Sequence, residues 1–127
     1  MFNSMRTTIT WALVAYYLLT GLYLILLPMT FYQTAPGVVD TGPYNMHFIR
    51  DVGFAFTVSA LGIAYGIRHN LKPLMLFGVS WLALHGLFHF ILWIGHAQHF
   101  SATALLDLVL VVVPAIAISY LCISAKV

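Results

Sequence analysis

Charge is what this chain has least of: only 6% of its 127 residues are Asp, Glu, Lys or Arg, against about 25% in soluble domains. With 62% apolar residues and a mean hydropathy of +0.98, that scarcity excludes an ordinary soluble fold. The basic residues Arg6, Arg50, Arg68, Lys72 and Lys126 are scattered, so there is no basic footprint for nucleic acid. Cysteine occurs once, as Cys122, which rules out an internal disulfide. At its position near the end of the last apolar run it reads as a small apolar filler. The chain has no C-x-x-C-H, which excludes covalently attached c-type haem. It also has no internal repeat and no low-complexity segment.

What the chain does have is four apolar runs, at about residues 9–27, 45–67, 73–95 and 101–124. At about 1.5 Å per residue each is long enough to cross roughly 30 Å of hydrocarbon. The first run follows Arg6, as in a signal peptide. It is too long for a typical h-region, however, and no A-x-A-like cleavage site follows it. It is therefore expected to stay as a transmembrane helix. Pro73 suits a first helical turn, Ser101 suits an N-cap, and Pro114 is expected to kink the last helix where neighbours re-satisfy its backbone.

The connections are short except for residues 28–44. That loop carries Phe31, Tyr32 and Tyr44, which suit a membrane interface, and the turn pairs Pro36-Gly37 and Gly42-Pro43. It reads equally as an ordered interfacial loop and as a lid. Arg6, Arg68, Lys72 and Lys126 all fall at one end of the bundle, and the two opposite loops contain no Lys or Arg. The positive-inside rule then puts both termini in the cytoplasm and loops 28–44 and 96–100 outside. The expected architecture is all-α: a single domain over residues 1–127, an integral, multi-pass, up-down four-helix membrane bundle.

Against that apolar background the ionisable residues stand out. His47, Arg50, Asp51, His85, His89, His96, His99 and Asp107 all fall in the outer half of the bilayer. Such groups are costly in hydrocarbon and usually occupy a bundle interior or a wet cavity. On the second helix His47 and Asp51 are four apart and share a face. Continuing that face through Ala55, Ser59, Gly62 and Gly66 gives small residues suited to close helix contact, so the face is expected to point inward. On the third helix His89 is displaced about 40° from His85, and His96 about 20°, so the three form a stripe. His99 joins it if the helix continues past Gly95. Asp107 lies about 9 Å into the fourth helix, at a depth comparable with Asp51 and His89. The first helix offers only the hydroxyls of Tyr16, Tyr17, Thr20 and Tyr23.

Four readings compete. The first is a transition-metal site for Cu, Zn or Fe with His47, His85 and His89 as ligands. Asp51 or Asp107 would be a further ligand or a carboxylate behind a ligating histidine. Against it stands the plain alternative that His85 and His89 are neutral imidazoles satisfied by carbonyls, hydroxyls or water. His96 and His99 read first as solvated loop residues, and Trp81 and Trp93 as packing or anchoring residues. The second reading is b-type haem between His47 and His85 or His89. Gly53 and Gly86 would make room for the macrocycle, and Arg50 would meet a propionate. The third is a membrane enzyme acting on a lipid-soluble substrate by acid–base chemistry. The membrane di-iron hydroxylases use many more histidines, in H-x3-4-H and H-x2-3-H-H boxes; this chain has a single H-x3-H, His85 to His89, and no H-x2-3-H-H, which disfavours that particular chemistry. The fourth is a small accessory or assembly subunit whose polar cluster, with an Arg50–Asp107 ion pair, only fixes helix register. The small-residue face, including Gly62 and Gly66, would then serve a homo-oligomer or a larger membrane complex. The metal site is the leading expectation, and the lipid bilayer is the one partner common to all four.

The stretch from Pro36 to Gly53 resembles a motif of small bacterial four-helix membrane proteins broadly similar to the DoxX-like group. Its specific part is N-x-H-F-x-R-D-x-G, carried by Asn45, His47, Phe48, Arg50, Asp51 and Gly53. The four-span layout and the later His85 and His89 agree with it. The resemblance implies a bundle in the bacterial inner membrane and names no activity.

Overall fold

A computed structural model gives the architecture; it describes residues 4–95 and 100–125. Helix α1 spans Ser4–Leu26 and a short α2 spans Pro28–Thr34. A 3-10 turn follows at Val38–Thr41, and then come α3, Met46–His69, and α4, Lys72–Gly95. The last helix, α5, is Ala102–Ile123. Four of these helices, α1, α3, α4 and α5, are long and apolar enough to cross a membrane. No strand occurs among the described residues.

Local chemistry explains where the helices stop and start. Pro28 has no N–H to donate, so it ends α1 and opens α2 at a position where that donor is not needed. The Asn45 side chain accepts from the Phe48 N–H at 3.1 Å and caps α3. The same helix ends on Asn70 in the left-handed region, φ 54°. There the Leu71 N–H reaches the Gly66 carbonyl at 2.8 Å and the Asn70 N–H reaches Ile67 at 3.5 Å. This is the Schellman arrangement, which satisfies carbonyls that a helix end leaves orphaned. Ser101 caps α5 by accepting from the Ala104 N–H at 3.2 Å.

The long helices pack in ring order: α1 on α3, α3 on α4, α4 on α5, with α5 returning to α1. Glycines set the close approaches. A Cβ on Gly53 would sit 2.9 Å from the Gly21 carbonyl oxygen, and one on Gly21 would sit 2.8 Å from that of Gly53. Gly78 meets the Ser59 backbone in the same way. The core is apolar, built on Leu24, Ile63, Met75, Leu82 and Ile118, with Cys122 fully buried among them. At the end holding the termini, Arg6 donates to the Ser124 hydroxyl. Lys72 Nζ donates to the Ile123 and Ala125 carbonyls at 2.8 and 2.9 Å, placing a cation on the C-terminus of α5. The opposite end is covered by residues 28–45, which form a cap. Tyr32 donates to the Gly42 carbonyl at 3.0 Å, and the Tyr23 and Thr34 hydroxyls pair at 3.0 Å.

Candidate functional site

On α4, Trp81, His85 and His89 are successive four-residue steps, so they line one face of the helix. Trp81 stacks on His85 with centroids 4.9 Å apart and planes at 11°, and the His85 and His89 rings are 4.5 Å apart. Phe56 of α3 meets Trp81 edge-on at 4.7 Å and His85 at 5.3 Å. Tyr17 of α1 stacks on Phe56 at 5.8 Å. These rings form a ladder from α1 through α3 to α4, and the two histidines are its last rungs.

Asp107 of α5 completes it. His89 Nδ1 lies 2.7 Å from Asp107 Oδ1. An ionised carboxylate only accepts, so Nδ1–H is donated to it; when the ring is neutral, Nε2 is then an acceptor. The side chains of His89 and Asp107 are 24% and 28% exposed, so the pair is covered yet reachable.

The backbone just beyond Asp107 is unusual. Residues Leu108–Val112 form a π turn, with the Val113 N–H donating to the Leu108 carbonyl five residues back. Its cause is one step further along. Pro114 has no N–H, and its ring crowds the carbonyl four residues earlier, that of Leu110. The Tyr16 hydroxyl of α1 takes up that carbonyl at 2.6 Å. The expected perturbation at Pro114 is thus a π turn, and the neighbour that re-satisfies the backbone is Tyr16. Such turns recur at functional sites.

A cavity of about 1720 Å³ lies between α1, α3, α4, α5 and the cap. Tyr17, Phe56, Trp81, His85, His89 and Asp107 all line it, and the cap contributes Tyr32, Asp40 and Tyr44. Pockets for small molecules usually measure roughly 300–1,000 Å³, so there is room for a drug-sized molecule together with water. Tyr17 is 3% exposed, and its hydroxyl is buried without a hydrogen-bond partner.

The structure brings together His85, His89 and Asp107, and it separates the other expected site residues from them. His47 and Asp51 are exposed, on the same side of α3 as Phe48, Phe54, Val58 and Leu61. The expectation that they point inward is corrected for a geometric reason. Each four-residue step advances about 40°, so the face starting at His47 has turned by about 120° at Ser59. The inward face runs through Ile49, Gly53, Phe56, Ala60 and Ile63, and His47 lies opposite it.

The Arg50–Asp107 ion pair is not formed. Asp107 is engaged by His89, and Arg50 Nε donates to the Ile25 carbonyl at 3.1 Å, capping the C-terminal turn of α1. Gly53 and Gly86 leave no space for a macrocycle, because Gly53 abuts Gly21 and a Cβ on Gly86 would fall 2.4 Å from that of Ala115. With His47 on the far face, the described residues do not fit b-type haem held between it and an α4 histidine. No group of three or more His, Cys, Asp or Glu able to hold a metal occurs among the described residues. His96 and His99 lie outside the described residues.

Residue-by-residue reading named Tyr17 among the first-helix hydroxyls, took Trp81 for a packing or anchoring residue, and missed Phe56. For Trp81 a signal existed, since it precedes His85 by the same four residues that separate His85 from His89. Phe56 carries no such mark.

No family model, no curated protein and no solved structure matches this chain.

Proposed function

We propose that this chain is an integral membrane protein that binds a lipid-soluble small molecule in the cavity beneath its cap, with His89 as the group that accepts a hydrogen bond or a proton from it. The observation that carries this reading is the His89–Asp107 pair in the wall of a cavity otherwise dominated by aromatic and aliphatic side chains. A carboxylate behind Nδ1 fixes the tautomer and leaves the other nitrogen of the neutral ring free to accept, as in acid–base sites generally. The charge distribution supports an orientation with both termini in the cytoplasm and the cavity toward the outside. Arg6, Arg68 and Lys72 lie at the end away from the cap, and the connection 28–44 contains no Lys or Arg. The bacterial inner membrane is the setting that the resemblance through residues 45–53 implies.

A second reading has one observation of its own. A carboxylate on Nδ1 is also the arrangement found behind a metal-ligating histidine, and the His85 ring is 4.5 Å away. In that reading His85 and His89 hold Cu, Zn or Fe, with Asp107 in support.

One experiment separates the two. The protein is purified in mild detergent without added metal or a histidine tag, with its histidines labelled with nitrogen-15. Elemental analysis is combined with NMR while 4-phenylbutanol is added, with butylbenzene as the control lacking a donor. The proposal expects no stoichiometric metal, an Nδ1–H signal for His89, and an Nε2 resonance that shifts saturably with the alcohol and not with the hydrocarbon. In Asp107→Ala the Nδ1–H signal is lost. About one metal per chain, displaced by His89→Ala, replaces the proposal with the metal site. An Nε2 resonance that is unmoved in metal-free protein refutes the binding site.

A further inference from the structure

We infer that the cavity selects an organic cation, a hydrophobic amine in its ammonium form, over neutral or anionic molecules of the same shape. This rests on the cavity being a ligand site and adds the charge of its ligand. Three independent features point the same way.

The first is the sign of the lining. Asp107 and Asp40 both line the cavity, and no Lys or Arg does among the described residues. The nearby cation Arg50 is directed to the Ile25 carbonyl of α1. In a chain with more Lys and Arg than Asp and Glu, a cavity lined by two of the three carboxylates, two histidines and no Lys or Arg among the described residues is a marked bias. Clefts lined by one sign of charge with low-dielectric walls concentrate the opposite sign.

The second is the aromatic lining. Tyr16, Tyr23, Phe31, Tyr44, Phe88 and Trp93 add to the ladder of Tyr17, Phe56 and Trp81. Aromatic faces attract cations, and the attraction grows when the cation is desolvated. Anions gain nothing from those faces.

The third is the set of hydrogen-bonding atoms. Nε2 of a neutral His89 and the second oxygen of Asp107 are acceptors. An ammonium group brings three donors and no acceptor, matching these two atoms; a carboxylate brings only acceptors and matches neither.

The test uses three probes with one body: 4-phenylbutylammonium, 4-phenylbutanol and 4-phenylbutyrate. Each is titrated into the whole protein in a neutral detergent, with binding read from the NMR signals of histidines labelled with nitrogen-15. Saturable binding of the ammonium about tenfold or more tighter than the alcohol, with the carboxylate weaker still, supports the inference. In Asp107→Asn, that preference over the alcohol should fall at least threefold while the alcohol's own affinity changes little. Asp40→Asn, in the exposed cap, gives a second variant independent of the His89 contact, and a smaller loss in the same direction is expected. Equal binding of ammonium and alcohol overturns the inference and leaves the ligand site standing. Absence of saturable binding by all three probes overturns both.

Discussion

Replacing Tyr16 by Phe removes one oxygen and tests how α5 tolerates its proline. The Tyr16 hydroxyl reaches the Leu110 carbonyl at 2.6 Å, and the residue that would normally serve that carbonyl, four ahead, is Pro114. Interhelical hydrogen bonds in membrane proteins are worth about 0.6 kcal/mol on average, with a maximum near about 1.7. The Leu110 carbonyl is not covered by protein, but one that faces hydrocarbon without any partner costs roughly 1–3 kcal/mol, as a buried one does. Leu110 has no N–H in reserve at the usual place, so Tyr16→Phe should fall where those ranges meet, at about 1.5 kcal/mol. That corresponds to slightly more than tenfold in the unfolding constant, since about 1.4 kcal/mol is a factor of ten. The decisive comparison is with Pro114→Ala. Restoring an N–H at position 114 gives the Leu110 carbonyl a partner within its own helix, so Tyr16→Phe should then cost less than about 0.5 kcal/mol. The coupling of about 1 kcal/mol lies in the range expected for residues sharing one partner. Unfolding of the four proteins is followed by circular dichroism as a denaturing detergent is titrated into a mild one. An equal cost of Tyr16→Phe in both backgrounds would refute the argument, because the phenol would then be stabilising something other than the carbonyl freed by the proline.

Two further outcomes are expected. Gly21→Ala puts a Cβ 2.8 Å from the Gly53 carbonyl oxygen and should destabilise by roughly 1–3 kcal/mol through overpacking; Gly95→Ala, with nothing within 4 Å, should be neutral in the same titration. Lys72→Ala removes two donors from the last carbonyls of α5 and should cost about 0.5–1 kcal/mol, read as faster hydrogen exchange in the final turn of that helix with little change at Leu82.

Much of the framework is legible in the chain because it depends on local chemistry. Four spans follow from run length and hydropathy, the start of α5 from Ser101, and the break after α1 from Pro28. The pairing of His85 with His89 follows from a four-residue step, too short for drift to matter. Over longer distances the same reasoning fails. A face extended from His47 by repeated steps of four rotates away from itself, so the small residues that do meet other helices, such as Ser59 and Gly66, do not place His47 beside them. The partner of Asp107 was not legible either. Arg50 is the obvious candidate by charge, yet the orphaned carbonyls at the end of α1 compete for it, and that end is set by a proline outside either residue's own helix. The π turn depends on Tyr16, 98 residues before the proline whose backbone it completes, and no pattern within α5 encodes that.

The ties between α1 and α5 have a consequence for selectivity. Arg6 meets Ser124 near the termini and Tyr16 meets Leu110 midway along both helices, in the wall of the cavity, which extends from there toward the cap. If the cavity binds as proposed, two arms joined at the base and the middle would open like tongs, a bulkier guest spreading the tips by bending without undoing either joint. A grip of that kind measures girth poorly. Discrimination then falls to what does not flex, the fixed rungs of α4 and the carboxylate of Asp107, so guests of quite different size should be told apart mainly by what their polar ends present.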